Sequence, residues 1–309
     1  MLARIVDSKI RRYQMSAHLN EVRNKSKRKW TIPLTWFGGK SWLASKIHQY
    51  TPSHTTYVEL FAGAAHILFA KEPSPLEVLN DLDSDLMNFY QVLRDPRQFA
   101  EFERLVNLTP YSREQFEECR DNWHTYHDPV KRAWAWFVIH RQARNGMPEF
   151  NWIYDTTQIR RGMAASTSRW LGSIEGLPET FERLRRVQIE NRDFREVIKM
   201  YDREHTWFYA DPPYVLETRK SGKYRWEMNN GDHLDLIDMM LDLKGMCLVS
   251  GYDSDIYEPL QSMGWEREIV SVHSGSTKES RQEILWFSPK LSRALQDKRK
   301  ALELISGKT

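Results

Sequence analysis

Apolar residues recur along this chain in two alternating rhythms. Tyr57-Val58-Glu59-Leu60-Phe61 is a short continuous run that stops at Ala62-Gly63, and Ala64 to Lys71 then reads as a helix. Glu77-Val78-Leu79-Asn80 predicts a second short strand, and Leu86, Phe89, Tyr90 and Leu93 fall at helical spacing across Asp85 to Leu93. A short apolar run fits a strand covered on both faces, whereas recurrence at three and four residues puts one stripe on a helix. Strand, glycine turn, helix, strand, acidic residue is the opening of a Rossmann-type half.

From about Asp95 to Arg185 the strand signals vanish. Phe99, Phe102, Leu105 and Val106 repeat at helical spacing, as do Trp134, Phe137, Val138 and Arg141, while Asn145 to Gly172 is irregular and punctuated by Gly146, Pro148, Gly162 and Gly172. This stretch predicts an inserted, mainly helical lobe carrying a long functional loop. Strands and helices then alternate again: Val187 to Glu190, a helix over Phe194 to Tyr201, and Thr206-Trp207-Phe208-Tyr209-Ala210 ending at Asp211. A helix over Asp232 to Leu243, a strand over Met246 to Ser250 and a terminal strand pair over Glu266 to Val272 and Glu283 to Phe287 follow. The expected organisation is a basic arm over 1–30, an α/β core over 31–94 and 186–288, the lobe over 95–185, and a frayed polar tail over 289–309. The arm reads equally as a helix or a loose segment.

With 40% hydrophobic and 28% charged residues, a mostly disordered chain is excluded. No apolar run approaches the roughly 18 residues of a spanning helix, and the start of the chain lacks a signal-peptide core, so the expected compartment is the cytoplasm. Two cysteines far apart, Cys119 and Cys247, do not make a zinc site. The net charge of +3 points to no particular partner. Its distribution says more. Arg23, Lys25, Lys27, Arg28 and Lys29 crowd the arm, and Arg141, Arg144, Arg160, Arg161 and Arg169 are interleaved with Trp152, Tyr154 and Trp170 in the lobe. Lys and Arg meet phosphates and aromatic side chains meet bases, although a solvated basic face has the same composition.

Three chemically interesting groups fall at strand ends, where ligands of open α/β sheets bind. Asp211-Pro212-Pro213-Tyr214 ends an apolar strand. Proline removes backbone donors, which leaves carbonyl oxygens and one carboxylate as acceptors beside an aromatic ring. Such a site suits a substrate presenting an amino group, such as N6 of adenine. Acceptors on both N6 hydrogens free the lone pair for in-line attack on a methyl sulfonium, with no metal required. A strand-ending turn capped by Asp is the plainer alternative. Gly63 permits close backbone approach to a ligand, and Asp81, about twenty positions on, sits where an acidic residue commonly binds ribose hydroxyls. Asp83 and Asp85 are alternatively helix caps. Trp36-Phe37-Gly38-Gly39-Lys40 lacks the spacing of a phosphate-binding loop. It is either a tight approach presenting Lys40 to a carboxylate or an exposed turn.

These motifs, in this order, resemble those of Dam-type, D12-class N6-adenine DNA methyltransferases. The likeness runs from about Pro33 to Phe287. It rests on Trp36 to Lys40, Tyr57 to Gly63, Leu79 to Leu86, Asn191-Arg192-Asp193-Phe194, Phe208 to Tyr214 and Arg281-Gln282-Glu283-Ile284-Leu285-Trp286. The resemblance implies a Rossmann-like methyltransferase sheet with an inserted target-recognition lobe. It further implies S-adenosylmethionine as cofactor and double-stranded DNA as partner, and it leaves open a cognate restriction enzyme. By the same resemblance Trp36, Lys40, Glu59, Phe61, Gly63 and Asp81 line the cofactor site, with Asp81 on the ribose and Asp193 and Phe194 at the adenine. Asp211, Pro212, Pro213 and Tyr214 bind the target base, which must be flipped out, with Asp211 also near the cofactor. Arg141, Arg144, Asn145, Arg160, Arg161 and Arg169 contact DNA. Leu60 and Ala65 replace a proline and a glycine that relatives often carry. The segment from Arg141-Gln142-Ala143-Arg144-Asn145-Gly146 to Arg161-Gly162-Met163 resembles phage- and prophage-borne members more than housekeeping ones. Competing readings are an N4-cytosine or RNA N6-adenine methyltransferase, or a non-catalytic DNA-binding protein of the same fold. A nicotinamide-dependent dehydrogenase would need G-x-G-x-x-G after the first strand.

Overall fold

The computed structural model describes residues 32–34, 36, 39–147, 151–219, 225–273 and 280–306. The basic arm, Phe37, Gly38, Pro148 and the Asn145 side chain lie outside the described set. Five parallel strands form most of one sheet: β1 (Thr56–Glu59), β2 (Leu76–Asn80), β5 (Gln188–Glu190), β6 (Thr206–Ala210) and β7 (Met246–Gly251). Two long antiparallel strands, β8 (Glu266–His273) and β9 (Ser280–Phe287), complete it in the order β5-β2-β1-β6-β7-β9-β8. The order reverses between β1 and β6, which pair in parallel with Val58 beside Phe208 and Glu59 beside Tyr209. A crevice opens beyond the strand ends at such a reversal, because the crossovers on either side depart to opposite faces.

Every residue of β6 and β7 is buried, in keeping with strands covered on both faces. Helices α1 (Ser41–Gln49), α2 (His66–Ala70), α3 (Ser84–Arg94), α9 (Phe194–Tyr201) and α10 (Asn230–Leu241) belong to the core, with a short α11 (Glu258–Ser262) before β8. The helix expected from Ala64 starts two residues later. Gly63 and Ala65 both have positive φ, +46° and +52°, so the chain turns twice before a helical ring can close.

The inserted segment is helical as expected: α4 (Pro96–Leu108), α5 (Arg113–Asn122), α6 (Pro129–Gln142), α7 (Ala165–Glu175) and α8 (Leu177–Leu184). Asp95 and Asp128 accept backbone N–H bonds at the starts of α4 and α6, each followed by proline in the first turn. The irregular stretch is shorter than expected. A two-stranded hairpin, β3 (Ile159–Arg160) with β4 (Met163–Ala164), leads directly into α7. Trp170, grouped above with the basic surface set, is instead 1% exposed and packs on Phe137. Its ring is too large an apolar area to leave in water when a core is within reach.

The end of the chain also departs from expectation. Pro289–Ser306 is one helix, α12, rather than a frayed tail. Leu291 and Leu295 form its buried stripe, and Ser288 Oγ accepts from Cys247 N of β7 on one side and from Leu291 N on the other. Among the described residues no helix is long and apolar enough to cross a membrane.

Candidate active site

The ends of β5, β2, β1 and β6 lie side by side, and one cleft opens over them. Its lining includes Trp36, Lys40, Glu59, Phe61, Gly63, Asp81, Asp193, Phe194 and Asp211, so all nine residues expected at a cofactor share one wall. Pro213 lines it too, while Pro212 and Tyr214 are buried and are not part of the lining.

Asn80 ties the strand ends together. Its Nδ2 donates to the carbonyls of Leu60 and Arg192, and its Oδ1 accepts from Arg192 N, each at 3.0 Å. One buried amide thereby holds three turns in register. Asp81 performs a similar task one residue on, accepting from Gly63 N and from Asp83 N at 3.0 Å each. Burial pushes the Asp81 carboxyl up to about 6, against the pull of these N–H groups. Asp83 caps α3 through Asp85 N and Leu86 N, so of the two cap candidates it is Asp83 that serves. Asp85 is buried in the first turn and receives Arg132 from α6 and Arg225 from beyond β6, both at 2.5 Å. Asp193 caps α9 by accepting from Arg195 N, and the Arg195 guanidinium lies 4.4 Å over the Phe194 ring.

Glycine is required at two points of this wall. A Cβ on Gly39 would overlap the His66 ring, and one on Gly63 would lie 2.9 Å from Trp36 Nε1. Trp36 in turn stacks on His140 of α6, 5.5 Å between centroids. Burial drives the His66 and His140 rings down to about 4, so both are neutral at pH 7. Glu59, 2% exposed, accepts from Tyr57 Oη and Leu68 N, and burial pushes it up to about 8. It therefore serves the wall as a neutral acid.

Asp211 stands at the β6 end with two donors on Oδ1, Lys40 Nζ and Ser250 Oγ, each at 2.9 Å, and with Tyr214 Oη 3.3 Å from the same oxygen. Lys40 is thus a buried partner of a carboxylate and not a surface lysine. Its Nζ also lies 3.5 Å from Glu283 on β9, which accepts the Tyr214 hydroxyl. The Tyr214 ring is 5% exposed, with Lys40 Nζ 4.6 Å over it and Tyr252 edge-on at 4.3 Å. Stacking a base on this ring therefore requires Lys40 or Tyr252 to move aside. Asn80, His66, Arg225, Ser250 and Glu283 were given no role in the sequence reading. Each acts through a partner distant in sequence, a relation that spacing does not record.

The basic residues of the lobe divide. Arg144 and Arg160 are exposed, and Arg161 forks onto Glu175 at 2.8 and 3.1 Å. Arg169 lies 4.0 Å from Asp155. Arg141 is partly buried against the Arg169 carbonyl, and burial lowers its guanidinium to about 10.

The family of D12 class N6 adenine-specific DNA methyltransferases matches this chain over residues 36–273. The chain is 28% identical to the DNA adenine methylase of Serratia marcescens over 120 residues, which make up 38% of this chain and 44% of that protein. It is 29% identical to the DNA adenine methylase of Escherichia coli (strain K12) over 121 residues, 38% and 43% of the two chains. Against the DNA adenine methylase of Vibrio cholerae serotype O1 the identity is 28% over 120 residues, 38% and 43%. The match spans less than half the length of these relatives.

Proposed function

The chain belongs to the D12 class N6 adenine-specific DNA methyltransferase family, and from that premise we propose that it methylates N6 of a flipped-out adenine in double-stranded DNA, with S-adenosylmethionine as donor. The observation that carries this reading is one cleft shared by a strand-end carboxylate, Asp81, and an acceptor-rich turn at Asp211. The residues present fit the cofactor: Asp81 for ribose hydroxyls, the Phe61 and Phe194 rings for a flat purine, and Gly39 and Gly63 as backbone in the lining of the same cleft. When bound, the cofactor supplies an electrophilic methyl group on a sulfonium.

The protein's part is positioning and electrostatics. Lys40, Ser250 and Tyr214 fix the Asp211 carboxylate before any substrate arrives, so orientation is settled in advance. Asp211 and the Pro212 carbonyl then accept from the two N6 hydrogens, which shifts the nitrogen lone pair out of the ring. Pro212 and Pro213 donate no backbone N–H that would compete for those acceptors. Arg144, Arg160, Arg161 and Arg169 supply the lobe's phosphate contacts, and the target sequence is read beside them.

The test is transfer of labelled methyl to unmethylated genomic DNA, followed by base analysis of the digest. N6-methyladenine is expected. Asp211→Ala should reduce transfer by roughly 1,000-fold, in the range seen when a preorganised group is removed, with DNA binding retained. N4-methylcytosine, methylated RNA alone, or full activity in Asp211→Ala would reject the reading.

A further inference from the structure

The reaction leaves one proton to be placed. When the N6 lone pair forms the new N–C bond, the electron pair of the breaking C–S bond stays on sulfur, and N6 must shed one hydrogen as a proton. Asp211 is the first acceptor by position, but its Oδ1 is already engaged by Lys40 Nζ and Ser250 Oγ. The proton needs a further destination if Asp211 is to be a carboxylate again for the next base.

The residues behind Asp211 supply one. Tyr214 Oη donates to Glu283 Oε1 and lies 3.3 Å from Asp211 Oδ1, so one hydroxyl touches both carboxyl groups. Lys40 Nζ lies between the same two groups, at 2.9 Å and 3.5 Å. Glu283 is 4% exposed on β9, beside apolar Val270 of β8. A carboxylate is not buried at this depth without a partner that repays its desolvation, and its two partners both lead back to Asp211.

We propose that Glu283 is the terminal acceptor of the proton shed by N6, reached from Asp211 through the Tyr214 hydroxyl. This rests on the amino-methylation reading given above. Asp211 takes the proton from N6, and the N–H bonding pair stays on nitrogen. Asp211 passes its proton to Tyr214 oxygen as the Tyr214 hydroxyl proton moves to Glu283. The sulfonium loses one positive charge and Glu283 loses one negative charge, so the net charge of the buried site is unchanged. Lys40 Nζ keeps its place between the two carboxyl groups throughout.

The titration of Glu283 suits the task. Burial pushes its carboxyl up to about 7, with Asp211 raising it and Lys40 and Tyr214 lowering it. Tyr209, on β6, faces the same pair, and burial holds its hydroxyl protonated well above neutrality. A group in this range accepts a proton near pH 7 and releases it on turnover.

The experiment is single-turnover methyl transfer to unmethylated genomic DNA between pH 5.5 and 9, with donor affinity measured alongside by calorimetry. Wild-type rate should rise with pH through about 7, since only ionised Glu283 accepts. Glu283→Gln keeps an oxygen for Tyr214 but cannot take the proton. It should slow transfer about 100-fold or more and lose the rise near neutrality, with donor affinity within about twofold of wild type. Glu283→Asp should restore both rate and pH dependence in part. A melting temperature matching wild type keeps a folding defect apart from a chemical one. A Gln variant with wild-type rate and profile, or one whose loss lies entirely in donor affinity, overturns the relay alone. Wild-type protein that leaves adenine unmethylated overturns the methylation reading and the relay with it.

Discussion

Asp81 shows how one side chain can hold a turn and still keep lone pairs open for the proposed ligand. Gly63 N and Asp83 N already occupy both its oxygens, and each oxygen keeps a further lone pair for a ribose hydroxyl. Its folded-state value of about 6 lies above the ordinary carboxylate range, so the charge is present above pH 6 and lost as pH falls through it. Hydrogen bonds to a charged acceptor contribute about 1 kcal/mol more than those to a neutral one. Donor affinity should therefore weaken about fivefold between pH 8 and pH 5, and Asp81→Asn should be weak at both. Calorimetry across that range checks this, and a flat wild-type profile would remove Asp81 from the ribose. Asp81 and Asp211 were both legible in the sequence because each directly follows an apolar strand run. Glu283 lay within a recognised segment, yet nothing in the sequence tied it to Tyr214, 69 residues away. Arg225 was silent for the same reason, its carboxylate partners lying some 140 positions back.

At the scale of elements, patterning worked where one rhythm dominated. Thr206–Ala210 and Phe194–Tyr201 have the expected bounds because an unbroken apolar run and a strict helical stripe leave no competing choice. It failed for α12, where Lys, Arg, Asp and Gln outnumber the leucines and made the segment look like a solvated tail. The deciding feature was the four-residue spacing of Leu291 and Leu295, which puts both on one face against the sheet. Burying two leucines contributes about 3–6 kcal/mol, so a chain ending at Ser288 should lose stability of that order in urea unfolding followed by tryptophan fluorescence. A frayed tail would cost nothing on removal, and an unchanged midpoint would show α12 to be ornamental to the fold. The same reasoning explains Trp170. Its arginine neighbours suggested a surface, but its own spacing from Ile174 places it on the buried stripe of α7.

At the scale of the whole molecule, the question is how an inserted segment becomes part of one body with the sheet. From Thr31 onward the chain forms a single compact unit, and one of the joins between insert and sheet is a buried charge cluster. Arg183, in the last turn of α8, is 0% exposed and forks onto Glu77 of β2 at 2.8 Å with a second bond at 2.5 Å, while donating to the Leu68 carbonyl at 3.0 Å. Lys71 reaches the same carboxylate at 2.5 Å. Burial alone would raise Glu77, but Arg183 and Lys71 outweigh it and hold the group below its ordinary value. The stability this confers is thus present above about pH 4.5, the unfolded value, and is lost as pH falls through the depressed folded one. Removing one member of a buried pair costs about 3–5 kcal/mol, because the partner charge stays buried. Arg183→Met should lose that much at pH 7 and less at pH 4, with one cooperative transition in both proteins. A second, early transition confined to the lobe would show that the insert folds apart from the sheet and that this cluster is not what joins them. Sequence spacing could place Arg183 on a helix and Glu77 on a strand. Only the fold brings a residue from the end of the insertion onto the second strand.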